Sequence, residues 1–197
     1  MAEHVSGVLL AGGKSKRMGQ DKKFIEYRGR SLLDIALERL RNVANEVVLV
    51  TAEPEDLGVD NVISAHDISP GMGPLMGIYS GLSNITNQSA IVNPVDTPNV
   101  TEELLQYMIQ ISSGFDVLMP RWENKLEPLI AVYSKNVLPV IKRFIEEGVK
   151  PAPHLLADKG SGLKVRILEE SEILEFGEPD RLFQNINSPK DLLISES

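Results

Sequence analysis

The 197-residue sequence contains no cysteine. This absence excludes disulfides, thiolate metal sites and cysteine nucleophiles. The sequence also lacks a run of about 18 apolar residues, the length that a helix needs to cross a membrane. No basic segment precedes the short apolar run near its start, so we expect neither a signal peptide nor a membrane partner. We therefore expect the protein in the cytoplasm.

Positive charge is also scarce, because 20 basic residues stand against 28 acidic ones and give a formal net charge of −8. Surfaces that bind nucleic acid are usually basic, so we expect no nucleic-acid partner. The hydrophobic content of 42% is typical of a globular protein. His4, His66 and His154 are far apart in the sequence, and we interpret them as structural or surface residues.

Basic residues are nevertheless concentrated after the first predicted strand, where residues 7–22 read GVLLAGGKSKRMGQDK. Gly12 and Gly13 end an apolar run and allow a ligand to approach the backbone closely. The cations follow within one loop: Lys14, Lys16, Arg17, Lys22 and Lys23. Backbone N–H groups and cations together favour a phosphate site. The alternative is a basic, solvated turn.

Two common phosphate motifs are excluded in this loop. A P-loop requires glycine five positions before Gly13, where the sequence has Val8. A dinucleotide fingerprint requires G-x-G-x-x-G, which is not present.

Strand and helix patterns alternate over the first 120 residues. We predict strands over 5–11, 46–51, 59–64, 90–93 and 116–119, and helices that begin near Ser31, Pro74 and Thr101. This alternation predicts an α/β fold, a Rossmann-like and mostly parallel sheet with helices on both faces. Ligands of such sheets bind outside the carboxyl ends of the strands.

The remaining residues complete this sheet in our prediction. We predict strands over 128–133, 163–168 and 173–176, a helix over 136–147, and a last short helix that opens at Ser188. We expect one domain over 1–197, in which residues 1–120 bind a nucleotide and residues 121–197 form the acceptor side.

Asp96 follows a predicted strand and stands between Pro94 and Pro98. A carboxylate held in a rigid loop suits Mg²⁺, which takes few protein oxygens and keeps places for phosphate and water. An Asx-turn before Pro98 is the alternative. Asn185 and Asn187 point the same way on an extended segment, so an amide oxygen is available to the same metal. Alternatively, Asn187 only helps to open the last helix.

Two further carboxylates have open interpretations. Asp67 either accepts hydrogen bonds from a base or ribose, or caps a turn. Glu127 either borders an acceptor site or forms a surface ion pair. No pair of nucleophile and base is visible, which favours direct transfer between bound substrates over a covalent intermediate. Phosphoryl and nucleotidyl transfer requires positioning, a metal and cations.

The motifs Leu-Ala-Gly-Gly, Arg-Met-Gly and Asp-Lys within residues 10–22 resemble the signature loop of nucleotidyltransferases, and most closely that of the molybdenum cofactor guanylyltransferases. Residues 67–78, 93–98, 127–131 and 185–189 resemble the later motifs of the same family. The resemblance therefore extends from Gly7 almost to the end of the sequence and implies a fold of the nucleotide-diphospho-sugar transferase type.

The resemblance implies a role for each matching residue. GTP would be bound at Leu10, Ala11, Gly12, Gly13, Lys22, Asp67 and Asp96. Asp96 would carry Mg²⁺. The residue pattern, rather than the resemblance, makes Asn187 the candidate for a second ligand. Arg17 and Lys22 would be the catalytic cations that stabilise charge on the phosphates. Some family members carry an asparagine after the second strand, where this sequence reads Val-Thr-Ala-Glu over 50–53.

The implied reaction joins GTP to the molybdopterin cofactor. The phosphate of the molybdenum-bound pterin attacks the α-phosphate of GTP, and pyrophosphate leaves. The resemblance also implies transient contacts with other cofactor-biosynthesis proteins or acceptor enzymes. Three alternatives remain open: a cytidylyltransferase for the same pterin, a sugar- or polyol-phosphate nucleotidyltransferase, and a non-catalytic nucleotide-binding protein.

Overall fold

A computed structural model describes residues 4–12, 21–67, 73–147, 152–187 and 191. The strands are β1 (Ser6–Leu10), β2 (Glu26–Tyr27), β3 (Arg30–Ser31), β4 (Val47–Thr51), β5 (Ile63–His66), β6 (Ser89–Pro94), β7 (Val117–Trp122), β8 (Lys125–Leu126), β9 (Ala131–Ser134) and β10 (Val165–Leu168). The α-helices are α1 (Leu32–Val43), α2 (Pro74–Asn84), α3 (Glu102–Ile111), α4 (Leu138–Glu146), α5 (Glu170–Ile173) and α6 (Pro179–Leu182).

The central sheet has the strand order β10-β7-β9-β6-β1-β4-β5, and β8 pairs with β7. β1 lies between β4 and β6 and is parallel to both, with Val8 opposite Val48 and Val92. β9 is antiparallel to β6 and β7. The connection from β7 to β9 is too short for the crossover that a parallel pair needs, so the chain returns in the opposite direction. The prediction of a mostly parallel sheet is confirmed.

Helices cover both faces of this sheet. Successive residues of β1 point in opposite directions, so both faces carry apolar side chains that need covering. Leu9 packs with apolar residues of α1 and α3, such as Leu40 and Leu104. Val8 packs with residues of α2, such as Leu82, on the opposite face. Within the described residues, no helix is both long enough and apolar enough to span a membrane.

The helix starts follow from their capping residues. Ser31 accepts a hydrogen bond from the backbone N–H of Asp34 (3.0 Å) and begins α1, and Thr101 accepts from that of Leu104 (3.3 Å) and begins α3. Pro74 is the first residue of α2, where its missing N–H leaves no hydrogen bond unmade. All three predicted helix starts are therefore confirmed.

The strand predicted over 173–176 is wrong. The helix α5 ends at Ile173 and residues 174–176 form a turn, because the side chain of Glu169 accepts from the backbone N–H of Glu172 and the side chain of Glu172 accepts from that of Glu169. This reciprocal cap favours a helical turn and places Ile173 in the core. The strand predicted over 59–64 lies later, at β5. The helix predicted at Ser188 begins outside the described residues.

Candidate functional site

The carboxyl ends of β1, β4, β5 and β6 meet at one edge of the sheet, beside a cavity of about 540 Å³. Six of the predicted site residues line this cavity: Leu10, Ala11, Gly12, Lys22, Asp67 and Asp96. The turns that follow three different strands therefore contribute to one site, as expected for an α/β sheet. Two other predicted residues, Gly13 and Arg17, lie outside the described part of the chain.

The backbone after β1 lies tight against the end of β4. The backbone N–H of Ala11 donates to the carbonyl of Val50 (2.8 Å), and the carbonyl of Leu10 accepts from Val95 (3.0 Å). A Cβ on Gly12 would lie 3.2 Å from the backbone nitrogen of Ala52. Glycine at position 12 thus allows two loops to meet at the cavity wall, and the hydrogen bonds fix their positions.

Lys22 joins two segments that are far apart in the sequence. Its ammonium group lies 2.7 Å from Asp96 Oδ2 and also contacts Asn187 Oδ1. The Lys22 and Asp96 side chains are only 21% and 16% exposed, so bulk water screens their ion pair weakly. The carboxylate and the amide therefore converge on the ammonium of Lys22. Lys22 and Asp96 line the cavity, whereas Asn187 is not among its lining residues.

The turn that carries Asp96 is held from several sides. The buried side chain of Asn93 donates to the carbonyl of Pro94 (2.6 Å) and to Thr97 Oγ1 (3.2 Å). The backbone N–H of Ile186 donates to the carbonyl of Asp96 (2.8 Å). This last bond ties the segment of Asn187 to the Asp96 turn, which explains why the Asn187 and Asp96 side chains both reach the ammonium of Lys22.

The donor atoms at this point fit a hard divalent cation. The Asp96 carboxylate and the Asn187 amide oxygen already face one positive group, the ammonium of Lys22. Within the described residues, no group of three or more acidic or histidine side chains is placed to bind a metal. Two protein oxygens nevertheless suit Mg²⁺, which is commonly held by one or two carboxylates together with substrate phosphates and water.

Asp67 lies at the opposite end of the cavity, directly after β5. Its backbone N–H donates to the carbonyl of Thr51 (3.0 Å), which fixes its position. A Cβ on Gly77 would lie 3.5 Å from Asp67 Oδ1, so a glycine of α2 leaves space beside this carboxylate. Burial raises the pKa of Asp67, against a smaller opposing effect of His66. A ligand that donates hydrogen bonds would stabilise the ionised form.

Sequence reasoning missed the role of Lys23. This side chain is 3% exposed and pairs with Asp21 Oδ2 (2.9 Å) and with Glu55. Burial alone would lower its pKa, but the hydrogen bonds with Glu55 and Asp21 raise it above the ordinary value. The pairing ties the segment of Lys22 to the loop after β4. Two adjacent lysines after an aspartate gave no signal that one of them is buried.

Sequence reasoning also missed Arg39, a buried residue on α1. Its Nη1 donates to the carbonyls of Val100 (2.6 Å) and Pro98 (3.2 Å), just after the Asp96 turn. Burial lowers the pKa of Arg39 to about 10. A buried guanidinium thus supports the backbone that follows Asp96. In the amphipathic pattern of the helix, Arg39 resembles a surface arginine, so the sequence did not indicate its burial.

Comparison with known proteins agrees with this geometry. Residues 7–161 match the MobA-like NTP transferase domain. The chain is 35% identical to a Methanosarcina mazei protein named a probable molybdenum cofactor guanylyltransferase, with 95% of this chain and 88% of that protein covered. It is 32% identical to the molybdenum cofactor guanylyltransferase of Desulfosudis oleivorans, with 98% and 95% covered.

A solved structure with a similar fold is that of molybdopterin-guanine dinucleotide biosynthesis protein A from Archaeoglobus fulgidus. Its TM-score with this chain is 0.80 at 25% identity, and the alignment covers 98% of this chain and 97% of that one.

Proposed function

Because the chain belongs to the MobA-like NTP transferase family, we propose that it transfers GMP from GTP to the phosphate of the molybdenum-bearing molybdopterin cofactor. The products are the guanine dinucleotide form of the cofactor and pyrophosphate. The names of the full-length relatives support GTP and the pterin as substrates. The observation that carries the proposal is the convergence of Lys22, Asp96 and Asn187 at the cavity.

The two ends of the cavity have different roles in this proposal. Asp67 accepts hydrogen bonds from the nucleoside, and Gly12 allows the triphosphate to approach the backbone. Residues 1–120 therefore hold the nucleotide, while residues 121–197 border the acceptor. Ala52 lines the cavity after β4, where some family members have an asparagine, so the nucleoside contacts here depend on other residues.

Asp96 and Asn187 hold a divalent metal in our proposal, with Mg²⁺ as the natural choice for a phosphate substrate. When bound, this ion neutralises charge on the phosphates. Lys22 adds a second positive charge at the same place, where charge develops on the leaving pyrophosphate. Arg17, outside the described residues, is proposed as a further cation on these phosphates.

No side chain needs to act as a nucleophile. An oxygen of the acceptor phosphate, already an anion, forms the new bond to the α-phosphorus of GTP. The bond from that phosphorus to the bridging oxygen breaks, and pyrophosphate leaves with the electron pair. The chain contributes orientation and electrostatic stabilisation, which account for most of the catalysis in this class of reaction.

The proposal is tested by pyrophosphate release from GTP, the molybdopterin cofactor and Mg²⁺, with each component omitted in turn. We expect release only when all three are present. Lys22→Ala and Asp96→Ala should each lower the rate by orders of magnitude, about 100-fold or more, without unfolding the protein. Wild-type rates in both variants would contradict the assignment of these residues.

Other outcomes of the same assay would replace the proposal. Turnover with CTP instead of GTP would indicate a cytidylyltransferase. Turnover with a sugar phosphate or polyol phosphate in place of the pterin would indicate a different acceptor class. Nucleotide binding without turnover on any of these acceptors would indicate a non-catalytic protein.

A further inference from the structure

The carboxyl edge of the sheet continues beyond Asp96, away from the nucleoside end. In spatial order, β5 and the following Asp67 lie on one side of β6. On the other side, β9 is antiparallel, so its start lies at this same edge, and β7 ends there with Trp122. Adjacent strands are about 4.8 Å apart, so the end of β7 lies about 10 Å from the end of β6.

Trp122 and Glu127 form a pair at this position. Trp122 Nε1 donates to Glu127 Oε1 (2.9 Å), and both side chains are partly exposed. The indole also packs against the ring of Phe183, with 6.3 Å between the ring centroids. Trp122 and Glu127 do not themselves line the cavity, but Leu129 and Asn185, which follow Glu127 and Phe183 by two residues each, do, so the pair is next in the chain to residues of the cavity wall.

The ion-pair interpretation of Glu127 is not supported within the described residues. The nearby ammonium of Lys125 pairs with Glu123 (3.3 Å) instead, and Glu127 forms no salt bridge with any residue that the structure describes. Its Oε2 atom has no hydrogen-bond partner among the described residues. Burial raises the pKa of Glu127, against smaller opposing effects of Trp122 and Lys125. A ligand with N–H donors would offset the lost hydration of this carboxylate.

The acceptor in the proposed function has a ring that matches this pair. The pyrimidine ring of a pterin is flat and carries a ring N–H beside an exocyclic amine, which are two adjacent donors. A carboxylate has about four acceptor positions on its two oxygens, so Glu127 can accept both donors and keep its bond from Trp122. The indole of Trp122 offers an aromatic surface against which a flat ring packs. The ammonium of Lys125 lies 5.7 Å from the centre of this ring in the free protein, and this exposed side chain has to move aside when a flat ring packs on that face.

We propose that Trp122 and Glu127 form the subsite for the pterin ring of the acceptor. This inference rests on the proposed function, since it identifies the part of the same site that recognises the acceptor. It places the base of the nucleotide near Asp67 and the pterin beyond Asp96, with the phosphates between them.

Trp122 is the only tryptophan in the sequence, so its fluorescence reports directly on this subsite. Unsubstituted pterin absorbs in the range where tryptophan emits, and bound pterin should quench Trp122. We expect saturable quenching of the wild-type protein by pterin, after correction for pterin absorption. A sugar phosphate, which lacks these donors, should not reduce the quenching.

Glu127→Gln is the decisive variant because the glutamine oxygen still accepts from Trp122, which keeps the pair intact. Its NH₂ group, however, faces the donors of the pterin. We expect the pterin dissociation constant to rise about tenfold, the effect of one or two charge-assisted hydrogen bonds. Glu123→Gln removes the same charge from an exposed residue of the same hairpin and should leave the constant unchanged.

Calorimetry of GTP with Mg²⁺ on the same variants separates this inference from the proposed function. Wild-type GTP binding in Glu127→Gln, together with weakened pterin binding, supports the subsite. GTP binding without saturable quenching of wild-type Trp122, or equal effects of Glu127→Gln and Glu123→Gln, would overturn the subsite alone. Absence of GTP binding to the wild-type protein would overturn the proposed function itself.

Discussion

Asp96→Asn separates the charge of Asp96 from its shape. The amide still accepts a hydrogen bond from Lys22 but has no negative charge for a metal. In the free protein, the variant loses the charge of an ion pair whose groups are 2.7 Å apart and mostly buried. Because a neutral hydrogen bond replaces it, we expect a loss of only about 1 kcal/mol in the free energy of unfolding.

The larger effect should appear with ligand. At a Mg·GTP concentration about 100 times the dissociation constant, binding stabilises the wild-type protein by about 2.7 kcal/mol. For a chain of this length, each kcal/mol corresponds to about 3 °C in Tm, so the expected shift is about 8 °C. Loss of the charged metal ligand should weaken Mg·GTP binding about 100-fold. At the same ligand concentration, binding would then stabilise the variant by only about 0.4 kcal/mol, a Tm shift of about 1 °C.

Thermal unfolding with and without Mg·GTP measures both effects. Asp60→Asn, on an exposed aspartate away from the cavity, is the matched control and should show the full wild-type shift. A wild-type Mg·GTP shift in Asp96→Asn would refute the assignment of Asp96 to the metal. A loss of several kcal/mol without ligand would instead show that Asp96 is chiefly structural.

Three further predictions concern groups around the site and away from it. Lys23→Met should lower Tm by about 3–6 °C, because the buried lysine loses two ion pairs worth about 1 kcal/mol each. The variant should also raise the KM for GTP, because the segment that carries Lys22 becomes less firmly held. Unchanged values of both Tm and KM would contradict this role. GTP affinity, measured by calorimetry, should fall in acid, and at a higher pH than for an ordinary aspartate, since burial raises the pKa of Asp67. Asp67→Asn should weaken binding and flatten this dependence, and an unchanged pH profile would exclude Asp67. Asp116→Ala should lower the free energy of unfolding by about 2 kcal/mol, because Asp116 accepts hydrogen bonds from the Lys164 backbone (2.8 Å) and from two side chains. The variant should bind GTP as the wild type does. A loss of GTP binding in the folded variant would contradict the placement of Asp116 away from the site.

The acid sensitivity of stability should also depend on Asp116. Burial alone would raise its pKa, but hydrogen bonds from the Lys164 backbone and the Asn136 and Ser134 side chains lower it below the ordinary value. A carboxyl group with a lowered folded pKa stabilises the fold above its unfolded pKa, and this stabilisation is lost as the pH falls through the folded pKa. The stability difference between wild type and Asp116→Ala should therefore shrink in acid.

Much of the fold could be predicted because local signals agreed with it. Ser31, Pro74 and Thr101 are strong helix-start residues, and each begins a helix. The apolar runs around Val8 and Val48 are long enough to identify buried parallel strands. These features depend on neighbours in the sequence, so a sequence alone carries them.

Other features depend on contacts between distant segments. No local pattern distinguishes Lys23, which is buried, from Lys22, which faces the cavity, because the partner Glu55 belongs to another loop. The meeting of Lys22 with Asn187 likewise requires the hydrogen bond between Ile186 and the Asp96 turn. Residues 173–176, which read Ile-Leu-Glu-Phe, resembled a strand, whereas the cap at Glu169 begins a helical turn that ends at Ile173.

The most direct measurement of the central claim is a competition among nucleotides. The protein is incubated with Mg²⁺, the molybdopterin cofactor and equimolar GTP, CTP, ATP and UTP, and the dinucleotide products are identified by mass spectrometry. We predict the guanine dinucleotide as the main product, which should disappear in Asp96→Ala. A cytosine dinucleotide as the main product, or no dinucleotide at all, would contradict the assignment of this chain as a guanylyltransferase.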